Sequence, residues 1–253
     1  VIAVVSPKGG VGKSTTTALL GGVLARLRGD LVAALDANPD SGNLAARLRE
    51  PHSRLGAQEL HRDAGQVTRY SDLVPYLTTS GSGLCAVRSN PDADARLGPA
   101  EYRALLSLLS RFYSIIVVDL GTGMREPAFQ AIIEAADAVV AVTGPAFDAV
   151  EVLAEGLDWL SRQFPAIFRT GIAVVNGIAP GSRAPDPARI AQTLEDWVPA
   201  VVQVPRDPHL AGGGVAQWAM LRNRTQDAYL ELGATVIDAL PEAGRTSVAG
   251  AES

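Results

Sequence analysis

Lysine is almost missing from this chain: among 22 basic side chains only Lys8 and Lys13 are lysine, and every other cation is arginine. Cysteine is rarer still. Cys85 stands alone, which excludes an intrachain disulfide and any cluster that needs paired thiolates. It lies in the short apolar run Gly83-Leu84-Cys85-Ala86-Val87, where a core-filling role is expected. The three histidines, His52, His61 and His209, fall in expected loops, and none has a partner at metal-ligand spacing. Aromatics make up only 5% of a chain that is 47% hydrophobic, so the core must be built from Ala, Val, Leu and Ile. No apolar run approaches the roughly 18 residues of a spanning helix. A net charge of −5 argues against a surface made to coat nucleic acid or anionic lipid. No Pro/Gly/Ser-rich linker or repeat divides the chain, so one domain over residues 1–240 is expected, with 241–253 as a disordered tail. The chain opens directly in an apolar run without a methionine, which reads as a trimmed start. With no disulfide and no visible signal peptide, a cytoplasmic protein is expected.

Both lysines lie in one loop, Ser6-Pro7-Lys8-Gly9-Gly10-Val11-Gly12-Lys13-Ser14-Thr15. It follows the strand-length run Val1–Val5 and precedes Thr16–Arg28, where Leu20, Val23, Leu24 and Leu27 recur at helical spacing until Gly29 closes the helix. Glycines at 9, 10 and 12 free backbone N–H groups to converge at a helix N-terminus, where orphan donors and the helix dipole favour an anion. Lys13 is placed to reach phosphate oxygens, and the Ser14 hydroxyl to ligate Mg²⁺. A tight turn with incidental lysines would not require glycines, lysine and hydroxyl to agree in this way. The spacing is that of a P-loop, except that Pro7 stands where the first glycine is usual.

Downstream, Leu31–Leu35 reads as a second buried strand ending at Asp36-Ala37-Asn38-Pro39-Asp40. A variable stretch from about Arg49 to Ser82 carries one short helix at Tyr70–Leu77. Then follow a strand at Leu84–Val87, a helix at Pro99–Phe112, and Ser114–Val118 ending in Asp119. An apolar strand closed by aspartate reads as the Mg²⁺-holding Walker B strand, and Leu120-Gly121-Thr122-Gly123 as the switch loop beside it. The remainder alternates: helix Pro127–Ala136, strand Ala138–Thr143, helix Phe147–Phe164, strand Gly171–Val175, helix Pro187–Trp197, strand Val201–Val204 and helix Thr225–Leu240. This order implies an α/β fold, a doubly wound, mainly parallel sheet with helices on both faces.

The loop Lys8-Gly9-Gly10-Val11-Gly12-Lys13-Ser14 resembles the deviant Walker A motif of ParA/MinD ATPases. The resemblance implies a P-loop NTPase fold, ATP and Mg²⁺ as cofactors, and phosphate contacts through Gly9, Gly10, Val11, Gly12, Lys13, Ser14 and Thr15. Metal would be held by Ser14 and Asp119, and Gly123 would approach the γ-phosphate. Lys8 would reach phosphates bound by a second subunit, so an ATP-dependent homodimer is implied. Asn176 and the segment Pro205-Arg206-Asp207 occupy places that contact adenine in the family; each also suits a turn or cap. Members usually carry D-x-D after the second strand, the second aspartate positioning the attacking water. Here the text is Asp36-Ala37-Asn38. An amide holds water without accepting its proton, so weak ATPase activity is expected, with Asp40 close enough to compensate.

The family's placement and assembly roles imply an unidentified partner protein and recruitment by it to a membrane or pole. The last helix, read as free of cations, does not resemble a basic membrane anchor, and Arg206, Arg222 and Arg224 are too few on an acidic chain to favour DNA. The three aspartate-bearing segments at 36–40, 119–123 and 207–210 resemble ParA/MinD-like proteins found with actinobacterial type VII secretion. Two alternatives stay open: a nucleotide-locked scaffold with negligible turnover, and a P-loop biosynthetic ligase with substrate lined by the 49–82 stretch.

Overall fold

The computed structural model describes residues 1–29, 31–38, 42–48, 53–89, 96–165, 169–179 and 186–240. Its frame is an eight-stranded sheet in the order β3-β4-β2-β5-β1-β6-β7-β8. The strands are β1 (Ile2–Val5), β2 (Val32–Ala37), β3 (Leu77–Thr79), β4 (Cys85–Val87), β5 (Ile115–Leu120), β6 (Ala138–Thr143), β7 (Gly171–Ile178) and β8 (Ala200–Pro205). Every pairing is parallel except β3 with β4. A parallel sheet must be covered on both faces, which is why its central strands are apolar without alternation. Within β1 the pleat divides the work: Ala3 and Val5 enter one core, Ile2 and Val4 the other.

The first core is closed by α3 (Ala57–Arg62), α5 (Pro99–Leu109), α6 (Pro127–Glu134), α7 (Phe147–Gln163) and α8 (Pro187–Glu195). The second is closed by α1 (Lys13–Arg28), α2 (Leu44–Leu48) and α10 (Asn223–Ala239). Short α4 (Tyr70–Leu73) and α9 (Pro208–Ala211) fill connections. Proline at the first turn starts α5, α6 and α8, where its missing N–H costs nothing. The Asp186 side chain caps α8 by accepting from the Ala188 N–H.

β1 lies between β5 and β6, so the chain winds outward from it in both directions. The loop after β1 therefore opens at the topological switch point, where ligands bind in sheets of this kind.

Several boundaries differ from the sequence expectation. β2 continues through Asp36 to Ala37, and β7 through Asn176 to Ile178, because pairing with neighbouring strands holds the polar residues in register. Lys13, Ser14 and Thr15 already lie in α1. The expected helix Tyr70–Leu77 breaks at Pro75: Val74–Tyr76 tightens to a 3₁₀ turn and Leu77 enters β3. The helices read as ending at Phe112, Ala136 and Trp197 stop at Leu109, Glu134 and Glu195. The last helix begins at Asn223 and so includes Arg224; it is not free of cations. His61 sits in α3 and His209 in α9 rather than in loops. Asp40, His52 and the expected tail at 241–253 lie outside the described residues.

Candidate functional site

The loop between β1 and α1 is built for anions. Gly10 and Gly12 take positive φ, 79° and 91°, which turns successive N–H groups to one side. At Gly12 a Cβ would also lie 2.8 Å from Asn176 Nδ2, so glycine is needed for both conformation and space. Gly12 is the N-cap of α1 and offers no side-chain cap, which leaves the first-turn donors for a ligand. Ser6 is buried beneath the loop and its hydroxyl bonds the Lys8 backbone on both sides, accepting from the N–H at 3.2 Å and donating to the carbonyl at 2.9 Å.

Lys13 is buried, with Nζ 2.6 Å from Asp119 Oδ1. The same oxygen lies 3.4 Å from Thr17 Oγ1, one turn further along α1. Asp119 Oδ2 is buried and has no partner among the described residues. A buried carboxyl oxygen without a donor in such a place calls for a cation or a metal-bound water. Ser14, adjacent to Lys13 on the first turn, supplies a hydroxyl. One carboxylate plus one hydroxyl is the sparse protein donor set that suits Mg²⁺, whose remaining positions are filled by phosphate and water. No cluster of three or more His, Cys, Asp or Glu that could hold a metal ion occurs among the described residues.

Asp36 is the register partner of Asp119 on the adjacent strand. Complete burial, then the neighbouring Asp119 carboxylate, push its pKa up to about 7, against backbone donors and Lys13 acting the other way. Oδ1 accepts from the Asn38 N–H and Oδ2 from the Leu44 N–H, each at 3.1 Å. Asp36 is thus also the anchor of α2. Gly42 makes that possible, because a Cβ there would stand 2.1 Å from Asp36 Oδ2 and 2.2 Å from Ser89 Oγ. Asn38 borders a cavity of about 50 Å³ with Ser89, Tyr102, Gly121 and Gly123, large enough for water. Burial and the Asp36 and Glu126 carboxylates push the Tyr102 phenol there up to about 12.

A second cleft of about 440 Å³ runs from Lys8, Gly9, Gly10, Val11, Gly12 and Thr15 across to Asn176, Pro205 and Asp207. Asn176 Nδ2 donates to Val11 O and to Thr16 Oγ1, both at 3.0 Å, while Oδ1 is buried without a partner among the described residues. Thr16 in turn bonds the hydroxyl of Tyr229, a fully buried phenol on α10 that burial raises to about 12. Asp207 lines the cleft, but its carboxylate is spent: Oδ1 caps α9 at His209 N, 2.9 Å, and Oδ2 accepts from Arg222 N, 2.9 Å. At the cleft mouth Lys8 pairs with Asp148 on the first turn of α7.

A model of the CobQ/CobB/MinD/ParA nucleotide binding domain matches residues 2–211. The chain belongs to that family. It is 30% identical over 249 residues to the ESX-1 secretion-associated protein EspI of Mycobacterium tuberculosis, covering 96% of this chain and 37% of that protein. The chain therefore spans well under half the length of that relative. Among solved structures, a ParA family ATPase from Chlorobium tepidum superposes with a TM-score of 0.77 at 19% identity, covering 92% of this chain and 98% of that one. MinD from Pyrococcus horikoshii, solved with Mg-ADP, gives 0.71 at 20% identity over 93% and 94%.

Within this ParA/MinD-type domain the fold brings Lys13, Ser14, Asp36, Asn38, Asp119 and Gly123 to the carboxyl ends of β1, β2 and β5, and sets Asn176 and Pro205 across the neighbouring cleft. Lys8 lies apart at the rim. Sequence reading missed Asp148, Gly42, Thr16 and Tyr229. Gly42 alone left a local signal, a glycine following the Asp36 strand end; the others act over long separations.

Proposed function

We propose that this chain is an ATP-dependent dimerising switch of the ParA/MinD type, which binds Mg-ATP, hydrolyses it slowly and governs the position or assembly of a partner complex. The observation that carries the reading is the buried Lys13–Asp119 pair beneath a loop of converging N–H groups, with Asp119 Oδ2 left without a donor. Lys13 would transfer its ammonium from Asp119 to phosphate oxygens bound in the loop, and Ser14 and Asp119 would hold the accompanying Mg²⁺. The metal supplies charge neutralisation at the phosphates; the chain supplies position and electrostatics. Asn176 lines the cleft, and its side-chain oxygen, once reached by the base, would suit the exocyclic amine of adenine rather than the carbonyl of guanine.

Slow turnover follows from Asn38, which borders the water-sized cavity yet cannot take a proton. The likeness to EspI supports a partner within a secretion assembly, reached by recruitment of a chain in which no described helix is long and apolar enough to cross a membrane. The deciding experiment is solution mass by light scattering with Mg-ATP, with Mg-ADP and without nucleotide, followed over hours. A dimer with Mg-ATP alone is expected, decaying as phosphate is released. A mass indifferent to nucleotide would sink the switch. A dimer that persists without phosphate release would instead establish the second reading, a nucleotide-locked scaffold, which Asn38 specifically favours.

A further inference from the structure

Separate from the nucleotide cleft, with no lining residue in common, a groove of about 490 Å³ runs along α1. Its floor is the stripe from Ala18 through Val23 to Leu27, and its walls include Leu48, Trp218 and Leu230. The apolar surface continues onto the rim, where Leu27 is 63% exposed, Met220 62% and Leu230 36%. An exposed apolar patch of this kind on a soluble domain marks a binding surface. The wall polar groups satisfy one another: Ser80 Oγ lies 2.7 Å from Ser82 Oγ, and Gln226 Nε2 donates to Trp218 O at 2.9 Å. No acid lines the groove, and its sole charge, Arg26, is in no hydrogen bond or ion pair among the described residues.

We propose that this groove docks an amphipathic helix of a partner protein, with its apolar face on the Val23–Leu27 stripe and one carboxylate on Arg26. The floor from Ala18 to Leu27 is about 14 Å long, two and a half helical turns. That length presents anchors at i, i+3 or i+4, and i+7, the pattern of helix-in-groove recognition. The groove is lined by α1, α2, α10, the turn at 80–82 and the 215–219 segment, with no residue of a strand among them, so strand addition has nothing to pair with. A small ligand would leave the rim at Leu27 and Met220 uncovered. An anionic membrane would find one cation on a chain of net charge −5. Residues 241–253 offer a single large apolar side chain, Val248, too little to fill the groove. The groove shares no lining residue with the nucleotide cleft, although its wall is tied to the helix that Asp36 anchors. Arg47 holds the 214–216 segment by two bonds, donating to Gly214 O and accepting from Ala216 N, and lies on the same five-residue helix that Asp36 anchors at Leu44.

The test is fluorescence anisotropy of the full chain with labelled synthetic helices of about fourteen residues, carrying leucines at the anchor spacing and Glu, Gln or Lys at each flanking position in turn. The expected result is that the best Glu peptide binds at least about tenfold more tightly than its Lys counterpart, and that Arg26→Glu reverses the order. Leu27→Asp and Leu230→Asp, at exposed positions, should each abolish binding while the thermal melt is unchanged. Equal binding of Glu and Lys peptides, binding untouched by both Asp variants, or no binding across the panel would overturn the proposal. So would a dimer, seen by light scattering without peptide, that Leu230→Asp dissolves, since the occupant would then be a second copy. Association with phosphatidylserine vesicles lost in the same variants would equally replace the helix by a membrane.

Discussion

The Lys8 ammonium is held by the carboxylate of Asp148, 140 residues along the chain. The pair sits at the mouth of the nucleotide cleft, and Lys8 draws the Asp148 carboxyl below its usual range through a hydrogen bond and its charge. Both side chains are exposed, so the contact contributes little to folding. It matters if Lys8 must leave to reach a second subunit. Asp148→Asn should then raise the fraction of Mg-ATP dimer a few-fold, and Lys8→Ala should abolish the dimer while leaving Mg-ATP binding by the single chain nearly intact. Light scattering against protein concentration reads both. A weaker dimer in Asp148→Asn would show instead that this carboxylate serves the interface.

The orientation of Asn176 predicts base preference. Val11 O can only accept, so the amide nitrogen must face it and Oδ1 must face away. A buried acceptor left without a donor costs about 1–3 kcal/mol, and on the proposed function adenine would supply the donor. Asn176→Ala should weaken ATP by about tenfold and narrow the preference for ATP over GTP. Competition against a fluorescent ATP analogue measures both. Unchanged discrimination would remove Asn176 from the base site.

How much of this could be read from the residues depended on separation along the chain. The phosphate loop was legible because glycines, lysine and hydroxyls lie within ten residues and flank one helix start. Asp119 was legible because a buried strand rarely ends in an acid without a task. The element order gave the doubly wound sheet for the same local reason. Strand ends at Asp36 and Asn176 were misjudged: cross-strand pairing holds polar residues inside β2 and β7 against their local preference for turns. Asp148 and Arg47 left no trace, since each acts on a segment brought near only by the sheet. Asp207 carried a double reading, and its carboxylate turns out to be occupied by two backbone donors.

Gly42 predicts a steric lock on the acid pair. A methyl at this position would overlap Asp36 Oδ2 and Ser89 Oγ, and Asp36 cannot yield without losing the Leu44 N–H that begins α2. Gly42→Ala should cost about 1–3 kcal/mol in urea unfolding and lower Mg-ATP affinity, because Asp36 and Asp119 are register neighbours. A variant of ordinary stability and affinity would mean that the loop moves freely away from Asp36.

Asp36 also sets a pH dependence whose sign is opposite to that of carboxylates lowered by an ion pair. Its pKa rises from 3.8 to about 7 on folding, chiefly by burial and then by Asp119, so between those values the native state binds the proton and the unfolded state does not. This group's contribution is therefore fully present below about pH 4, is lost as pH rises towards 7, and changes no further above that. The slope cannot exceed about 1.4 kcal/mol per pH unit for one proton. Urea unfolding of the nucleotide-free protein at pH 5, 6, 7 and 8 should show wild type losing stability relative to Asp36→Asn over the first two steps, from pH 5 to 7, and running parallel to it above neutrality. Parallel curves throughout would mean that Asp36 is ionised in the folded chain, balanced by Lys13. Binding of Mg-ATP should then draw Lys13 away and create the pH dependence that the free protein lacked.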